Sequence, residues 1–346
     1  MLPHLTNENP WFTFLVHFRN VEDMERFGGG SFLRHYSRDA ADFQSKMCSL
    51  PPVVGGEVVF GAEIAWGEIV VIMRMPDAMI GPEAYKFVSD ALALTVRRGA
   101  SVVGLGALTS PATGGGLSLL RHLPPKVTLT NGNGYTAAVV RRNVVEASEI
   151  LGLGWRARVA VVGCTGSVGV AASHLLAQSG FELTLVGRSA RRAQHHLGDI
   201  APRAKFAGEL AALREADIIV LLTSDPSAGL MPHHVKPEAV VIDCAQPANI
   251  EGANLEEFRR RQITVVEGGI VRIPGYSSTL DLGVSDCTDT FACLAETYLF
   301  AREGIREHSV GRPTAEFALR MERIAARHGV SARPLGVPQS SCALVP

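Results

Sequence analysis

Short apolar runs of strand length alternate with stretches of helical period along most of this chain. Residues 12–17 (FTFLVH) make the first run, residues 21–27 carry a helical pattern, and residues 55–75 alternate apolar and polar positions in the manner of paired strands. A helix is predicted over 82–98, with Phe87, Ala91, Leu94 and Thr95 at helical spacing. SVVGLGALTSPATGGG then carries an apolar strand into a Gly/Ser/Thr loop, and TNGNGYTA (130–137) is a second polar turn that leads into a helix over 136–151. Further apolar runs follow at 159–162, 182–186, 216–224, 239–245 and 263–271, and the chain turns helical over 285–303 and again near 314–328. Strands and helices in alternation build a doubly wound sheet. The expected fold class is therefore α/β: a Rossmann-type parallel sheet, a separate N-terminal α+β lobe and C-terminal helices.

The run at 159–162 sits inside RVAVVGCTGSVG (158–169), which brings a buried strand straight into Gly163, Gly166 and Gly169 and then into a helical segment. Gly163 permits the tight turn, Gly166 lets the backbone approach a pyrophosphate, and Gly169 lets the helix pack closely on the strand, while the helix N-terminus attracts phosphate. The next strand ends in GRSARR (187–192), so Arg188, Arg191 and Arg192 stand where an acidic residue would bind a ribose 2′-hydroxyl. Basic residues there suit a 2′-phosphate, and the cofactor expected is NADPH. The cofactor site is assigned to Gly163, Thr165, Gly166, Ser167, Val168, Gly169, Arg188, Ser189, Arg191, Thr223 and Gly269. This divides the chain into a substrate-binding lobe over 1–132, an NADP-binding domain with its lead-in helix over 133–284, and a helical segment over 285–346.

Composition narrows the function classes. A 346-residue chain with 47% hydrophobic and 19% charged residues has the balance of a packed globule, and a net charge of −1 without aromatic-interleaved basic blocks argues against nucleic acid. The six cysteines, Cys48, Cys164, Cys244, Cys287, Cys293 and Cys342, lack paired CxxC spacing, which reads as reduced thiols in a cytoplasmic protein. No apolar run reaches membrane-span length, and the N-terminus lacks the basic and apolar regions of a leader. The histidine pairs His195–His196 and His233–His234 have no third ligand at metal spacing, and GxSxG and GxxxxGK[ST] motifs are absent.

Among the thiols, Cys293 falls in the helix expected from residue 285, beyond the candidate caps Asp286 and Asp289, where peptide dipoles favour a thiolate. Its neighbours Phe291, Leu294, Ala295 and Leu299 equally make a core, and spacing alone ranks that reading above a nucleophile. Cys287, nearer the expected helix start, is the rival, while Cys164 fills a small-residue slot in the glycine turn. Glu296, one turn after Cys293, is either a proton donor or a satisfied interface carboxylate.

Several pieces in order, GLGALTS (104–110), TNGNGYTA (130–137), VAVVGCTGSVG (159–169), EGGIV (267–271) and FACLAE (291–296), resemble the cyanobacterial-type long-chain acyl-[acyl-carrier-protein] reductases. Tyr135 and Gly134 depart from that family's T-x-G-N-x-x-T-A pattern, and the first 50 or so residues match it poorly. The resemblance implies that Cys293 is an acyl-accepting nucleophile, with Glu296, Ser110, Thr130 and Asn133 completing the catalytic set through the loops 106–110 and 130–133. It implies NADPH-dependent reduction of an acyl-carrier-protein or acyl-CoA thioester to an aldehyde, with an aldehyde-processing enzyme downstream. Carrier proteins are acidic, and the triplet Arg259–Arg261 is the docking patch expected for one. Two other readings stand beside it: an alcohol or ketone dehydrogenase of the shikimate-dehydrogenase type, and a non-catalytic NADP-binding regulator.

Overall fold

The computed structural model describes residues 11–60, 63–223, 229–246 and 248–336. Ser224 of the expected 216–224 strand, Cys342 and the first ten residues lie outside them. The elements run β1 Phe12–His17, α1 Val21–Arg26, α2 Gly30–His35, α3 Ala40–Ser49, β2 Val53–Phe60, β3 Glu63–Ile72, α4 Pro76–Ile80, α5 Ala84–Arg97, β4 Val102–Leu105 and β5 Thr128–Thr130. Then come α6 Asn133–Ile150, β6 Arg158–Val162, α7 Ser167–Gln178, β7 Glu182–Val186, α8 Ala190–Leu197, β8 Ala204–Ala207, β9 Ile218–Leu221, β10 Val240–Asp243, α9 Gly252–Arg260 and β11 Thr264–Glu267. The rest are β12 Ile270–Arg272, β13 Tyr276–Ser278, β14 Asp289–Phe291, α10 Ala292–Glu303, α11 Ala315–Arg327 and β15 Ser331–Ala332. The chain divides into a first unit of residues 1–132, 273–283 and 293–311, and a second of residues 133–272, 284–292 and 312–346.

In the first unit a six-stranded sheet runs β13-β2-β3-β1-β4-β5. Strands β3, β1, β4 and β5 are parallel, and β2 and β13 extend the edge through antiparallel pairing. The β2/β3 pair is the one that the alternation over 55–75 predicts. Phe12 lies opposite Gly67, where a β-carbon would overlap the phenyl ring. Helix α5 buries Val88, Ala91 and Leu92 in a core with Leu15, Val70, Leu105 and Leu129. Asn20 and Asp39 cap α1 and α3, accepting hydrogen bonds from Asp23 N at 2.9 Å and Asp42 N at 2.8 Å.

The second unit holds a six-stranded sheet in the order β11-β10-β9-β6-β7-β8. All its neighbours pair in parallel, with α7, α8 and α9 in the β6–β7, β7–β8 and β10–β11 connections, giving the doubly wound α/β architecture expected. Ile219, Leu221, Val241, Phe258 and Ile263 are in its core. Each such side chain contributes about 1.5–3 kcal/mol on leaving water. Helices α6 and α11 are clipped by Glu322, whose carboxylate accepts from Arg141 Nη2 at 2.8 Å and Arg142 Nε at 2.5 Å.

Residues 285–303 are not one helix. Asp286 accepts from Thr288 N at 2.9 Å and from its hydroxyl at 2.8 Å, closing a turn, and Asp289 enters β14, which pairs antiparallel with β12. Its carboxylate binds Arg272 Nε at 2.9 Å. The helix therefore begins only at Ala292, and neither aspartate caps it.

Candidate functional site

The glycine turn of the second unit stands where the sheet order reverses. From β6 the chain winds outward through β7 and β8, then returns to β9 on the other side. Loops leaving β6 and β9 thus diverge and open a crevice at their carboxyl ends. Gly163, at φ +84°, turns the backbone there, and a β-carbon on it would come within 2.9 Å of Leu222 and 3.1 Å of Thr223 N. A β-carbon on Gly169 would overlap Gly163 O, so this glycine sets the close seat of α7 on the strand. Gly166 is the N-cap and supplies no side-chain cap to the first amides of α7. Those amides and the bare backbone of the turn fit a pyrophosphate. Thr165, Ser167 and Val168 line the same turn, half-buried, and Ser167 Oγ accepts from Asn133 Nδ2 at 2.8 Å. Asn133 therefore belongs to this cradle in the second unit.

After β7, Ser189 caps α8 by accepting from Arg192 N at 3.3 Å. Arg188 and Arg191 are exposed on this turn, as recognition of a 2′-phosphate requires. Gly269, at φ +73°, donates its N–H to Asn143 Oδ1 at 3.2 Å, and its carbonyl accepts from Ala292 N at 2.9 Å. Cys164 is buried against Gly187, and burial pushes its thiol up to about 11, consistent with packing rather than chemistry.

The first unit gathers a different set. Cys293 stands in the first turn of α10 and packs on Gly132, whose φ of +71° leaves no room for a β-carbon because Cys293 Cβ occupies that space. One turn on, Glu296 is fully buried and accepts a hydrogen bond from Thr130 Oγ1 at 2.5 Å, and Thr130 Oγ1 in turn accepts from Gly132 N at 3.0 Å. Ser110 is buried, its carbonyl accepting from Gly115 N at 2.8 Å. Asn131 Nδ2 donates to the Gly115 and Gly311 carbonyls at 3.0 and 2.9 Å. Cys293, Glu296, Thr130 and Ser110 thus fall in one unit and Asn133 in the other.

The expected thiolate at Cys293 needs correction. Burial pushes its thiol up to about 12, and the charge of Glu296 adds to the shift, so desolvation outweighs the helix dipole. Cys287 is exposed on the turn before β14, outside α10, which begins at Ala292. The triplet Arg259–Arg261 is also divided: Arg259 Nη1 binds Glu256 at 2.5 Å, while Arg260 and Arg261 line a shallow cavity with Val235, Pro237 and Gln262. Sequence reasoning missed Asn131, Asn143 and His17, buried polar side chains that bond Gly115 and Gly311, Gly269, and Leu108 respectively, all distant in the chain, while His17 also bonds the adjacent Phe18 carbonyl. It also missed Asp243, a buried carboxylate that accepts from Ala245 N, Asn249 N and Ile250 N at 3.1, 2.7 and 3.1 Å and so shapes the loop after β10.

Residues 146–267 match the family model described as shikimate / quinate 5-dehydrogenase, which is less than half of the chain. A curated relative, aminotransferase PigE of Serratia sp. (strain ATCC 39006), is 28% identical over 254 residues, covering 69% of this chain. The chain spans 29% of the length of that protein. Among solved structures, a dipicolinate synthase component from Bacillus halodurans overlaps with a TM-score of 0.34 at 16% identity, covering 51% of this chain and 62% of that one. YhdH of E. coli K-12 with bound NADPH gives 0.31 at 17% identity, covering 38% and 43%. Overlaps this partial say nothing about substrate.

The cradle, the arginine-bearing turn and the matched segment define an NADP-binding domain. Its dinucleotide-binding segment is similar to that of the shikimate/quinate 5-dehydrogenases. The resemblance to acyl-carrier-protein reductases is overturned: the matched family is a dehydrogenase one, and the curated relative is named an aminotransferase. A strand–glycine–helix turn is shaped by the pyrophosphate it must admit, so the same short motif recurs across dinucleotide-binding families. Among the described residues, no helix is long and apolar enough to cross a membrane.

Proposed function

We propose that the protein interconverts an alcohol and a carbonyl compound as an NADP-dependent dehydrogenase. The observation that supports this reading is the coincidence of the matched dehydrogenase segment, 146–267, with the built cradle at Gly163, Gly166 and Gly169. The cofactor supplies or accepts the hydride. Gly163–Gly169 and the α7 amides bind its pyrophosphate, and Arg188 and Arg191 bind the 2′-phosphate that separates NADP from NAD. Asn133 and Asn143 hold the turns at Ser167 and Gly269 in place. Hydroxy ring acids of the kind the family's name gives are the first substrates to try.

A second reading is favoured by one cluster, Cys293 with Gly132, Glu296 and Thr130. Here the Cys293 thiol gives its proton to Glu296 and its sulfur bonds the carbonyl carbon of an acyl thioester; the departing thiolate leaves with that proton. Hydride and a second proton then release the acyl group as an aldehyde and restore the thiol. An aminotransferase consumes carbonyl compounds, so an aldehyde would suit a protein whose larger relative bears that name.

The two readings separate in one experiment. Protein incubated with an acyl thioester and no NADPH is analysed by mass spectrometry, and NADP+ reduction is followed in parallel over a panel of hydroxy acids. The dehydrogenase reading expects hydroxy-acid-dependent NADPH formation that survives Cys293→Ser, with no adduct. An acyl adduct mapped to Cys293, with no turnover of any alcohol, overturns it in favour of the second.

A further inference from the structure

We propose that His17 is a positioning residue: it holds the loop 106–110 of the first unit with Ala107 in left-handed backbone and, through it, the corner made by Ser110, Gly115, Asn131 and Gly132. The role in turnover rests on the proposed function above, with the loops that close the parallel strands of this unit receiving the substrate.

His17 ends β1, is 6% exposed, and has both ring nitrogens engaged. Nδ1 lies 2.7 Å from the Phe18 carbonyl, and Nε2 lies 3.2 Å from Leu108 N. A carbonyl only accepts and an amide N–H only donates, so the two partners dictate a neutral ring with its proton on Nδ1. The loop held this way is not one that an ordinary sequence adopts unaided, because Ala107 sits at φ +47°. Gly106 N donates to Leu15 O at 2.9 Å, and Thr109 Oγ1 donates to Gly106 O at 2.6 Å, fixing both flanks. From Ser110 the path continues through Gly115 to Asn131 by hydrogen bonds of 2.8 and 3.0 Å, and Asn131 precedes Gly132, against which Cys293 packs.

A proton added at Nε2 would face the Leu108 N–H and open the clamp. Burial lowers the ring's proton affinity and keeps the clamp closed, while Asp23 on α1 opposes this and is itself held by Arg19 Nη2 at 2.6 Å. Strand β1 and the loop carry no charged side chain. Of the neighbouring charges, Asp77 on α4 is exposed, and Arg74 after β3 donates to the Met73 and Leu50 carbonyls at 2.8 and 3.2 Å.

The test uses the full chain with His17→Gln and His17→Asn. A glutamine amide reaches the Nε2 position and accepts from Leu108, whereas asparagine reaches only the Nδ1 position. Hydrogen–deuterium exchange of the 106–110 peptide at pH 7 should leave His17→Gln protected as in the wild type and speed exchange at least ten-fold in His17→Asn. Turnover should fall at least ten-fold in His17→Asn only, and the acidic limb of the kcat profile should disappear in His17→Gln. Unchanged protection in His17→Asn overturns the clamp. Lost protection with wild-type turnover keeps the clamp but removes its role in the reaction, and with it the placement of substrate at these loops. Should His17→Asn not fold, an acidic limb that persists in His17→Gln overturns the proposal by itself.

Discussion

Gly163→Ala measures the cradle directly when paired with Gly152→Ala. Both glycines adopt left-handed backbone, at φ +84° and +68°, so each alanine bears a strain of about 1–2 kcal/mol. Around Gly152 nothing lies within 4 Å of the added β-carbon, while at Gly163 it meets Leu222 at 2.9 Å. Overpacking at such a contact costs about 1–3 kcal/mol more. Gly152→Ala should therefore lose about 1–2 kcal/mol and Gly163→Ala about 2–5 kcal/mol, at roughly 2–4 °C of Tm per kcal/mol. Binding separates them further. Opening the turn displaces the backbone that approaches the pyrophosphate, and the same contact energy of about 1–3 kcal/mol becomes about a 5- to 150-fold rise in Kd for NADPH. Thermal melts and fluorescence titration with NADPH read both quantities. If Gly163→Ala matches Gly152→Ala in Tm and binds NADPH as the wild type does, the turn is not a phosphate cradle.

Gly132→Ala should perturb Cys293, since its β-carbon needs the space of Cys293 Cβ; faster alkylation of Cys293, measured against Cys287 in the same sample, would show it, and an unchanged rate would contradict the packing. Thiol reactivity at Cys293 should stay low at pH 7–8 and rise only in strongly alkaline solution, because its thiol is pushed up to about 12; a reaction midpoint near 7 would refute this. His17 has its pKa lowered on folding, so below the unfolded value of about 6.5 the unfolded chain takes up the proton first. Stability should accordingly fall as pH drops through 6.5, by up to about 1.4 kcal/mol per pH unit from this residue, and His17→Gln should flatten that part of the urea-melt profile.

The second unit was legible because its signals are local. A buried strand, three glycines with different steric duties and a helix leave few alternatives, and the turn at Gly163 follows from spacing alone. The polar stretch 130–137 was recognisable as a turn, yet nothing in its spelling says that Thr130 joins Glu296 in one unit while Asn133 turns to Ser167 in the other. That division depends on partners 166 and 34 residues away. The start of α10 was misplaced for the same reason: pairing of Asp289–Phe291 with β12 overrides the local capping signal of two aspartates. Small-residue loops also misled the family reading, since they answer to the same turn physics in unrelated dehydrogenases.

The central claim, a dinucleotide cradle completed by a 2′-phosphate grip, is tested most directly by parallel titration of NADPH and NADH against the wild type and the Arg188→Ala/Arg191→Ala variant. A charge-assisted guanidinium–phosphate contact is worth about 1.5–3 kcal/mol, or roughly a ten- to hundred-fold preference. The wild type should bind NADPH at least ten-fold more tightly than NADH, and the double variant should bring the two affinities together by weakening NADPH alone. Equal affinity of the wild type for both cofactors, or parallel losses in the variant, would contradict the account.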